Sequence, residues 1–262
     1  MKFWTTMFGL AAVLVPLSDR QAHAQVVFQA AGPSIESIQG TVDAFRAALG
    51  APDNKNNPGP LATGHREINW DGGGGVDTTT DPVTPFNVFL NTRGGQFTTP
   101  GVGLSQAPPS GGAQGGLATL FNNPSYATIF HTFSPLRLFT PVGSRITDGV
   151  FFVPGTNGSE SATINGFGAI FTDVDKPSGA SRNGTHSTLI DYYDANGRRI
   201  FTGFVPSSPG DGNLSFLGVV FETPQVAKVR ITAGDSRPGL DDGAHDIVMM
   251  DDFFYGEPQP LE

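Results

Sequence analysis

Ile247-Val248-Met249-Met250-Asp251-Asp252-Phe253-Phe254-Tyr255 is an apolar run near the end of the chain that two adjacent carboxylates interrupt. The run is long and apolar enough for a strand that is buried on both faces. An unpaired carboxylate in the protein interior costs several kcal/mol, because it loses its hydration. Asp251 and Asp252 must therefore contact cations, hydrogen-bond donors or a metal ion.

Further segments have the composition of strands. They are rich in Phe, Val, Ile and Thr, and turn residues such as Asn196-Gly197 separate those in the second half of the chain. The expected strands are 66–70, 86–91, 95–99, 146–153, 162–172, 187–194, 198–205, 214–221, 226–233 and 246–255. A short helical turn is expected at 117–121. This pattern predicts an all-β fold, an antiparallel β-sandwich of jelly-roll type.

One amphipathic helix precedes the strands. Its apolar residues recur at spacings of three and four, Ser34 is placed to cap its start, and Gly50 ends it. The apolar face consists of Ile35, Ile38, Val42, Phe45 and Leu49. Long loops are expected at 51–64, 71–85 and 100–116, because Gly, Pro and Asn are frequent there.

The N-terminus has the features of an export signal. Lys2 precedes an apolar stretch from Phe3 to Leu17, and Ala22-His23-Ala24 is a small-x-small cleavage site. A membrane anchor is the alternative, but polar residues and a proline break this stretch, which is shorter than a spanning helix. We expect a protein that is secreted, extracellular or periplasmic, with no membrane span after cleavage. The expected division of the chain is 1–24 signal peptide, 25–64 N-terminal helix and loop docked on the body, 65–258 β-sandwich and 259–262 tail.

The composition limits the partners. The chain has 15 Lys and Arg against 24 Asp and Glu, and a formal net charge of -9. An acidic surface repels phosphate backbones, so nucleic acid is not an expected partner, whereas divalent cations and extracellular glycans or matrix are compatible. Because the chain has no cysteine, it has no disulfides and no thiolate metal site.

The Asp251-Asp252 pair has three competing interpretations. Regular strand alternation predicts that the two side chains point to opposite faces and cannot share a proton. The buried one is then a structural calcium ligand, a carboxylate that pairs with an arginine or accepts from loop amides, or a catalytic group. Calcium binds six to eight oxygens, which loop carbonyls and carboxylates supply. The candidate ligands are Asp251, Asp252, Asp71, Asp173 and Asp175, and Ca²⁺ is the one cofactor predicted.

Aromatic residues are candidates for ligand binding, because aromatic rings stack on the apolar faces of sugars. Trp70 and Tyr193 are the residues predicted to bind a ligand, with packing in the core as the alternative for Trp70. No HExxH, GxSxG or P-loop motif is present, and we assign no catalytic residue.

Several sequence segments resemble those of a recurrent family of secreted bacterial β-sandwich proteins that has no assigned function. The similarity extends over about residues 34–258 and implies export and a β-sandwich, but no particular activity. The segments are Arg66-Glu67-Ile68-Asn69-Trp70-Asp71-Gly72, Phe97-Thr98-Thr99-Pro100-Gly101, Phe133-Ser134-Pro135-Leu136-Arg137-Leu138-Phe139, Gly166-Phe167-Gly168-Ala169-Ile170-Phe171-Thr172-Asp173-Val174-Asp175 and Met249-Met250-Asp251-Asp252-Phe253-Phe254-Tyr255-Gly256-Glu257-Pro258.

The Asp251-Asp252 pair is also similar to the final strand of jelly-roll carbohydrate-binding modules, which often carries one carboxylate on a structural calcium. The leading hypothesis is a secreted, non-catalytic binding or adhesion module with a structural calcium site, and glycans are its candidate ligands. The alternatives are a structural matrix or filament subunit without a small ligand, and a polysaccharide hydrolase or lyase on the same scaffold.

Overall fold

Antiparallel strands dominate the fold. A computed structural model describes residues 25–72, 81–177, 188–239 and 244–261, so the predicted signal peptide lies outside the described residues. The strands are β1 Gln25–Gly32, β2 His65–Ile68, β3 Gly95–Thr98, β4 Gly103–Ala107, β5 Leu138–Val142, β6 Ile146–Phe151, β7 Ala162–Thr163, β8 Gly166–Thr172, β9 Leu189–Tyr193, β10 Arg199–Phe204, β11 Leu214–Phe221, β12 Lys228–Thr232, β13 Met249–Gly256 and β14 Gln259–Pro260. The helices are α1 Ile35–Leu49, α2 Leu90–Arg93, α3 Gly116–Leu120 and α4 Tyr126–Ile129.

Two sheets contain most of the strands. The seven-stranded sheet has the order β1-β11-β8-β13-β5-β4, and β2 also pairs with β13. The five-stranded sheet has the order β10-β9-β12-β6-β3, and β14 and β7 form a small third sheet. All of these strand pairs are antiparallel, as the sequence predicts.

The largest core cluster takes residues from both main sheets and is rich in aromatic rings. The Trp70 ring stacks on Phe139 with ring centroids 3.7 Å apart. Trp70 and Phe253 form a T-shaped pair with ring centroids 4.8 Å apart. Aromatic pairs of this kind add to the free energy of burial. Strand β13 is buried along its whole length, as its apolar sequence predicts.

Helix α1 packs on the other face of the seven-stranded sheet. Its buried residues are Ile38, Val42, Phe45 and Leu49. Ser34 and Gly50 occupy the predicted cap positions, but the Ser34 side chain forms no capping hydrogen bond. The Phe45 ring lies against Gly168 and Gly218, where a Cβ atom would come within 2.7 and 2.6 Å of the ring. These two glycines therefore allow the helix to approach the sheet closely.

Some predicted elements are wrong. Segment 86–91 is not a strand: Phe86 forms one isolated bridge with Phe97, and α2 begins at Leu90. The predicted loop 100–116 contains β4. Pairing with β5 holds this segment as a strand, although its own sequence does not indicate one. Strand β1 lies in a segment expected to hold only a helix and loop, yet it pairs with β11 over its full length. In the part of the chain that the structure describes, no helix is long and apolar enough to cross a bilayer.

Candidate functional site

A β-bulge brings Asp251 and Asp252 together. Met250 and Phe253 both pack in the core between the sheets, although a spacing of three is incompatible with regular strand alternation. The register of β13 against β8 shifts between these two residues. The shift places the two aspartates so that their carboxyl groups hydrogen-bond to each other. The prediction that they point to opposite faces and cannot share a proton is therefore wrong.

The pair holds a proton because it is buried. Burial, with the neighbouring charge of Asp252, raises the pKa of Asp251 well above its ordinary value. Burial also raises the pKa of Asp252 to about 6. A hydrogen bond between two carboxyl groups needs one proton, so the two aspartates titrate as a coupled pair.

The same two carboxyl groups hold the segment Phe133–Arg137. Asp251 Oδ2 accepts a hydrogen bond from the backbone N–H of Phe133 at 2.5 Å. Asp252 Oδ1 accepts one from Ser134 Oγ at 2.6 Å. Both aspartates are almost fully covered, with 0% and 4% of their surface exposed, so they lie beneath this segment and away from solvent.

Asp71 holds the far end of the same segment. Its Oδ1 atom accepts from the backbone N–H groups of Leu136 and Arg137, at 2.6 and 3.0 Å. Three of the five predicted metal ligands thus act as hydrogen-bond acceptors for one loop. This is the second interpretation of the buried carboxylates, in which they accept from loop amides.

Asp173 and Asp175 lie elsewhere, just after the end of β8. Asp175 Oδ1 accepts from the backbone N–H of Gly210 at 2.8 Å, and Asp246 Oδ1 accepts from the backbone N–H of Asp175 at 3.0 Å. Asp173 is buried. Across residues 25–72, 81–177, 188–239 and 244–261, no three His, Cys, Asp or Glu side chains group closely enough for a metal ion. The calcium site stays a prediction.

Trp70 is a core residue. Its side chain has no exposed surface, and its indole Nε1 donates to the backbone carbonyl of Asp251 at 2.9 Å. With one ring face against Phe139, the indole does not present a surface for a sugar. Packing in the core, the alternative for Trp70, is what the structure shows.

A buried ion pair that the sequence analysis missed holds loop 51–64 to the body. Arg66 Nε and Nη2 donate to Glu257 at 2.6 and 2.7 Å, and Arg66 Nη1 donates to the carbonyls of Lys55 and Asn57. Arg66 has no exposed surface and Glu257 only 5%. Its position between residues typical of a surface strand gives no sign of this burial, whereas the Arg-carboxylate geometry is ideal for a bidentate pair.

Tyr193 lies on the side of the five-stranded sheet that faces away from the core. Its neighbour Tyr192 points inward and is fully buried. We call this surface the outer sheet face. It consists of Gln96, Thr98, Ile146, Asp148, Val150, Leu189, Asp191, Tyr193, Arg199, Thr202, Phe204, Lys228, Arg230 and Thr232.

Cross-strand ion pairs order the middle of the outer sheet face. Arg230 forms a bidentate pair with Asp148, with both N–O distances 2.7 Å, and Lys228 Nζ lies 3.3 Å from the same carboxylate. Burial opposes the ionisation of Asp148. The hydrogen bond from Arg230 and the charge of Lys228 outweigh this effect, so the pKa of Asp148 is lowered. On the next strand, Asp191 accepts from Thr202 and lies 3.4 Å from Arg199.

Tyr193 borders this charged row. Arg199 and Lys228 lie opposite it on the two adjacent strands, and Lys228 Nζ is 5.7 Å from the centroid of the Tyr193 ring. Phe204, with 38% of its surface exposed, lies opposite Leu189 at the other end of β9. Leu189 and Tyr193 are four residue steps apart along β9, which corresponds to about 14 Å. Apolar or aromatic side chains thus lie on both sides of the charged row: Tyr193 on one side, and Phe204 with Leu189 on the other.

A groove of about 540 Å³ is a second candidate. It lies between the start of α1 and the segment 130–136, with Glu36 and His131 among the polar residues and Ile35 and Leu136 among the apolar ones. Its wall rests on the Asp251-Asp252 pair through Phe133 and Ser134.

The two candidates differ in chemistry. The groove combines a few polar side chains with exposed apolar ones, whereas the outer sheet face combines an aromatic ring with fixed charges and a hydroxyl group. Of the two residues predicted to bind a ligand, Trp70 is buried, whereas Tyr193 is partly exposed on the outer sheet face. Comparisons with known protein families, with curated proteins and with solved structures find no match for this chain.

Proposed function

We propose that this protein is a secreted, non-catalytic binding or adhesion module that holds an extracellular glycan against the outer sheet face. The observation that carries the proposal is the placement of the partly exposed Tyr193 ring between Arg199 and Lys228, beside an ordered polar row. An aromatic ring stacks on the apolar face of a sugar, and flanking charged groups hydrogen-bond to its hydroxyls.

The polar row supports the proposal because its side chains are already held in position. Asp148 fixes Arg230 through two hydrogen bonds, and the remaining N–H groups of the guanidinium are not used by that pair. A binding site that is ordered before the ligand arrives loses less conformational entropy on binding. A sheet face whose polar side chains are already held in place therefore suits an extended polysaccharide better than a small molecule, which prefers a concave site.

The carboxylates favour binding over hydrolysis. A general acid needs a raised pKa, but Arg230 and Lys228 lower the pKa of Asp148. The pair with raised pKa values, Asp251 and Asp252, lies beneath the segment Phe133–Arg137. Jelly-roll connectivity, export and the calcium site belong to the proposal as sequence predictions.

A glycan array followed by titration of the best ligand tests the proposal. We expect Tyr193→Ala to weaken binding about five- to tenfold, since a lost stacking contact costs about 1 kcal/mol. Tyr193→Phe keeps the ring and is expected to bind nearly as well as the wild type. Leu136→Ala, on the exposed rim of the groove, is the matched control and should leave binding unchanged. An array without any bound glycan would contradict the proposal.

A further inference from the structure

In the part of the chain that the structure describes, strand β1 is an open edge of the seven-stranded sheet. It pairs with β11 on one side over eight consecutive residues without a register shift. Its sequence, Gln25-Val26-Val27-Phe28-Gln29-Ala30-Ala31-Gly32, contains neither a charged residue nor a proline. An edge of this kind presents a row of backbone N–H and C=O groups to any strand that approaches.

Apolar side chains are exposed on both faces of this edge. Val26 has 57% of its surface exposed and Val27 has 42%, and adjacent residues of a strand point to opposite faces. Phe28, on the same face as Val26, contacts Phe45 of helix α1 with ring centroids 5.5 Å apart. An added strand would thus cover apolar surface on both faces and form hydrogen bonds with the backbone N–H and C=O groups of the β1 edge.

The other described edges of the two main sheets are short or protected, and β2, for example, has four residues and a bridge from Asp53 to His65. Strand β10 has Arg199 and a register shift between Arg199 and Phe201, two features that discourage pairing. Strand β4 is covered by a bridge from Val83 to Leu104, and the four-residue β3 is covered by a bridge from Phe86 to Phe97. Among the described strands of these sheets, β1 is the long edge that carries no such protection.

We propose that β1 pairs antiparallel with β1 of a second copy, which joins the seven-stranded sheets of the two copies across a twofold axis. The chain carries a net charge of -9, so two copies repel each other, and an uncharged edge is a surface where they approach at low electrostatic cost. A contact of one edge with itself is isologous and closes after two copies. The product is a dimer and not a filament.

Salt strengthens the dimer, because it screens the repulsion between the two acidic bodies while the contact itself is uncharged. Light scattering after size-exclusion chromatography tests this on the exported chain. We expect the mass to rise from one to two copies with protein concentration, and the transition to shift to lower concentration at higher salt. A monomer at every concentration and salt level would overturn the proposal.

Two pairs of variants locate the contact. Val27→Lys places a charge on the edge and should abolish the dimer, whereas Val102→Lys, at a loop valine with 70% exposure, should not. Because the chain lacks cysteine, Val27→Cys gives a single thiol that a flexible thiol-to-thiol cross-linker should join to the same thiol of the second copy, and Val102→Cys should not be joined. Circular dichroism checks that each variant folds. A folded Val27→Lys variant that still dimerises would overturn the proposal.

Discussion

The carboxyl groups of Asp251 and Asp252, adjacent residues of β13, lie in hydrogen-bond contact because a β-bulge interrupts the strand alternation at this point. The pair then accepts from Phe133 and Ser134 and so fixes the segment that forms one wall of the groove. Two residues with the sequence pattern of a metal or catalytic site thus act, in this structure, as a buried support for a loop.

The raised pKa of Asp252 makes stability depend on pH. A folded-state pKa of about 6, above the ordinary 3.8, means that the folded state binds more protons than the unfolded state. The contribution of Asp252 is therefore fully present below about pH 4 and is lost as pH rises through about 6, by about 3 kcal/mol. Chemical denaturation from pH 4 to pH 8 measures it.

The matched control for the pH dependence is Asp252→Asn. This variant has no proton to lose at this position. As pH rises through about 6, the wild type should lose stability that the variant keeps, so the free energy of unfolding of the variant should increase relative to that of the wild type. Comparison of the two proteins cancels the opposite pH dependence of carboxylates with lowered pKa values, such as Glu67 and Asp148. Parallel pH profiles for both proteins would contradict the raised pKa.

Asp251→Asn should preserve the pair. The amide oxygen accepts from Phe133 and the amide nitrogen donates to Asp252, as a protonated carboxyl does. We expect a free energy of unfolding within about 1 kcal/mol of the wild type, whereas Asp251→Ala should lose about 2 kcal/mol because it leaves a buried N–H unpaired. Equal losses in the two variants would show that the donor role of Asp251 is wrong.

Glu257→Ala should be strongly destabilising. It leaves Arg66 charged and buried without its bidentate partner, which costs about 3 to 5 kcal/mol. Asp43→Ala breaks the exposed pair with Arg46 and is the matched control, with an expected loss below about 1 kcal/mol. Limited proteolysis should also find new cleavage within 51–64 in Glu257→Ala, since Arg66 no longer anchors that loop.

The calcium prediction has a direct check in the melting temperature with calcium and with chelator. A ligand at a hundred times its dissociation constant stabilises the folded state by about 2.7 kcal/mol. Asp173 and Asp175 are the predicted ligands that do not hold the segment Phe133–Arg137, so Asp175→Asn should reduce the shift. An unchanged melting temperature would end the calcium hypothesis.

Local patterns were enough to predict much of the fold. Helix α1 follows from its apolar spacing and flanking residues, β11 has the predicted bounds 214–221, and Asn196-Gly197 forms the turn between β9 and β10. In each case neighbouring residues determine the conformation.

Features that depend on distant residues were not predictable in the same way. The bulge at Asp251 is defined by the register of β13 against β8, which the sequence of β13 does not encode. Strand β4 is ordered by β5 and Val83, and Arg66 is buried by a loop that folds over it. The candidate site was therefore only partly predictable: Tyr193 is on an accessible face, but its charged neighbours come from β10 and β12.

The most direct test of the central claim, that the outer sheet face is the binding surface, is a nuclear magnetic resonance titration of the labelled protein with the best glycan from the array. We predict that the shifted amide signals belong to β9, β10 and β12, with the largest changes around Tyr193, Arg199 and Lys228. Shifts confined to the groove, at Glu36, His131 and Leu136, would contradict the claim and assign binding to the other surface.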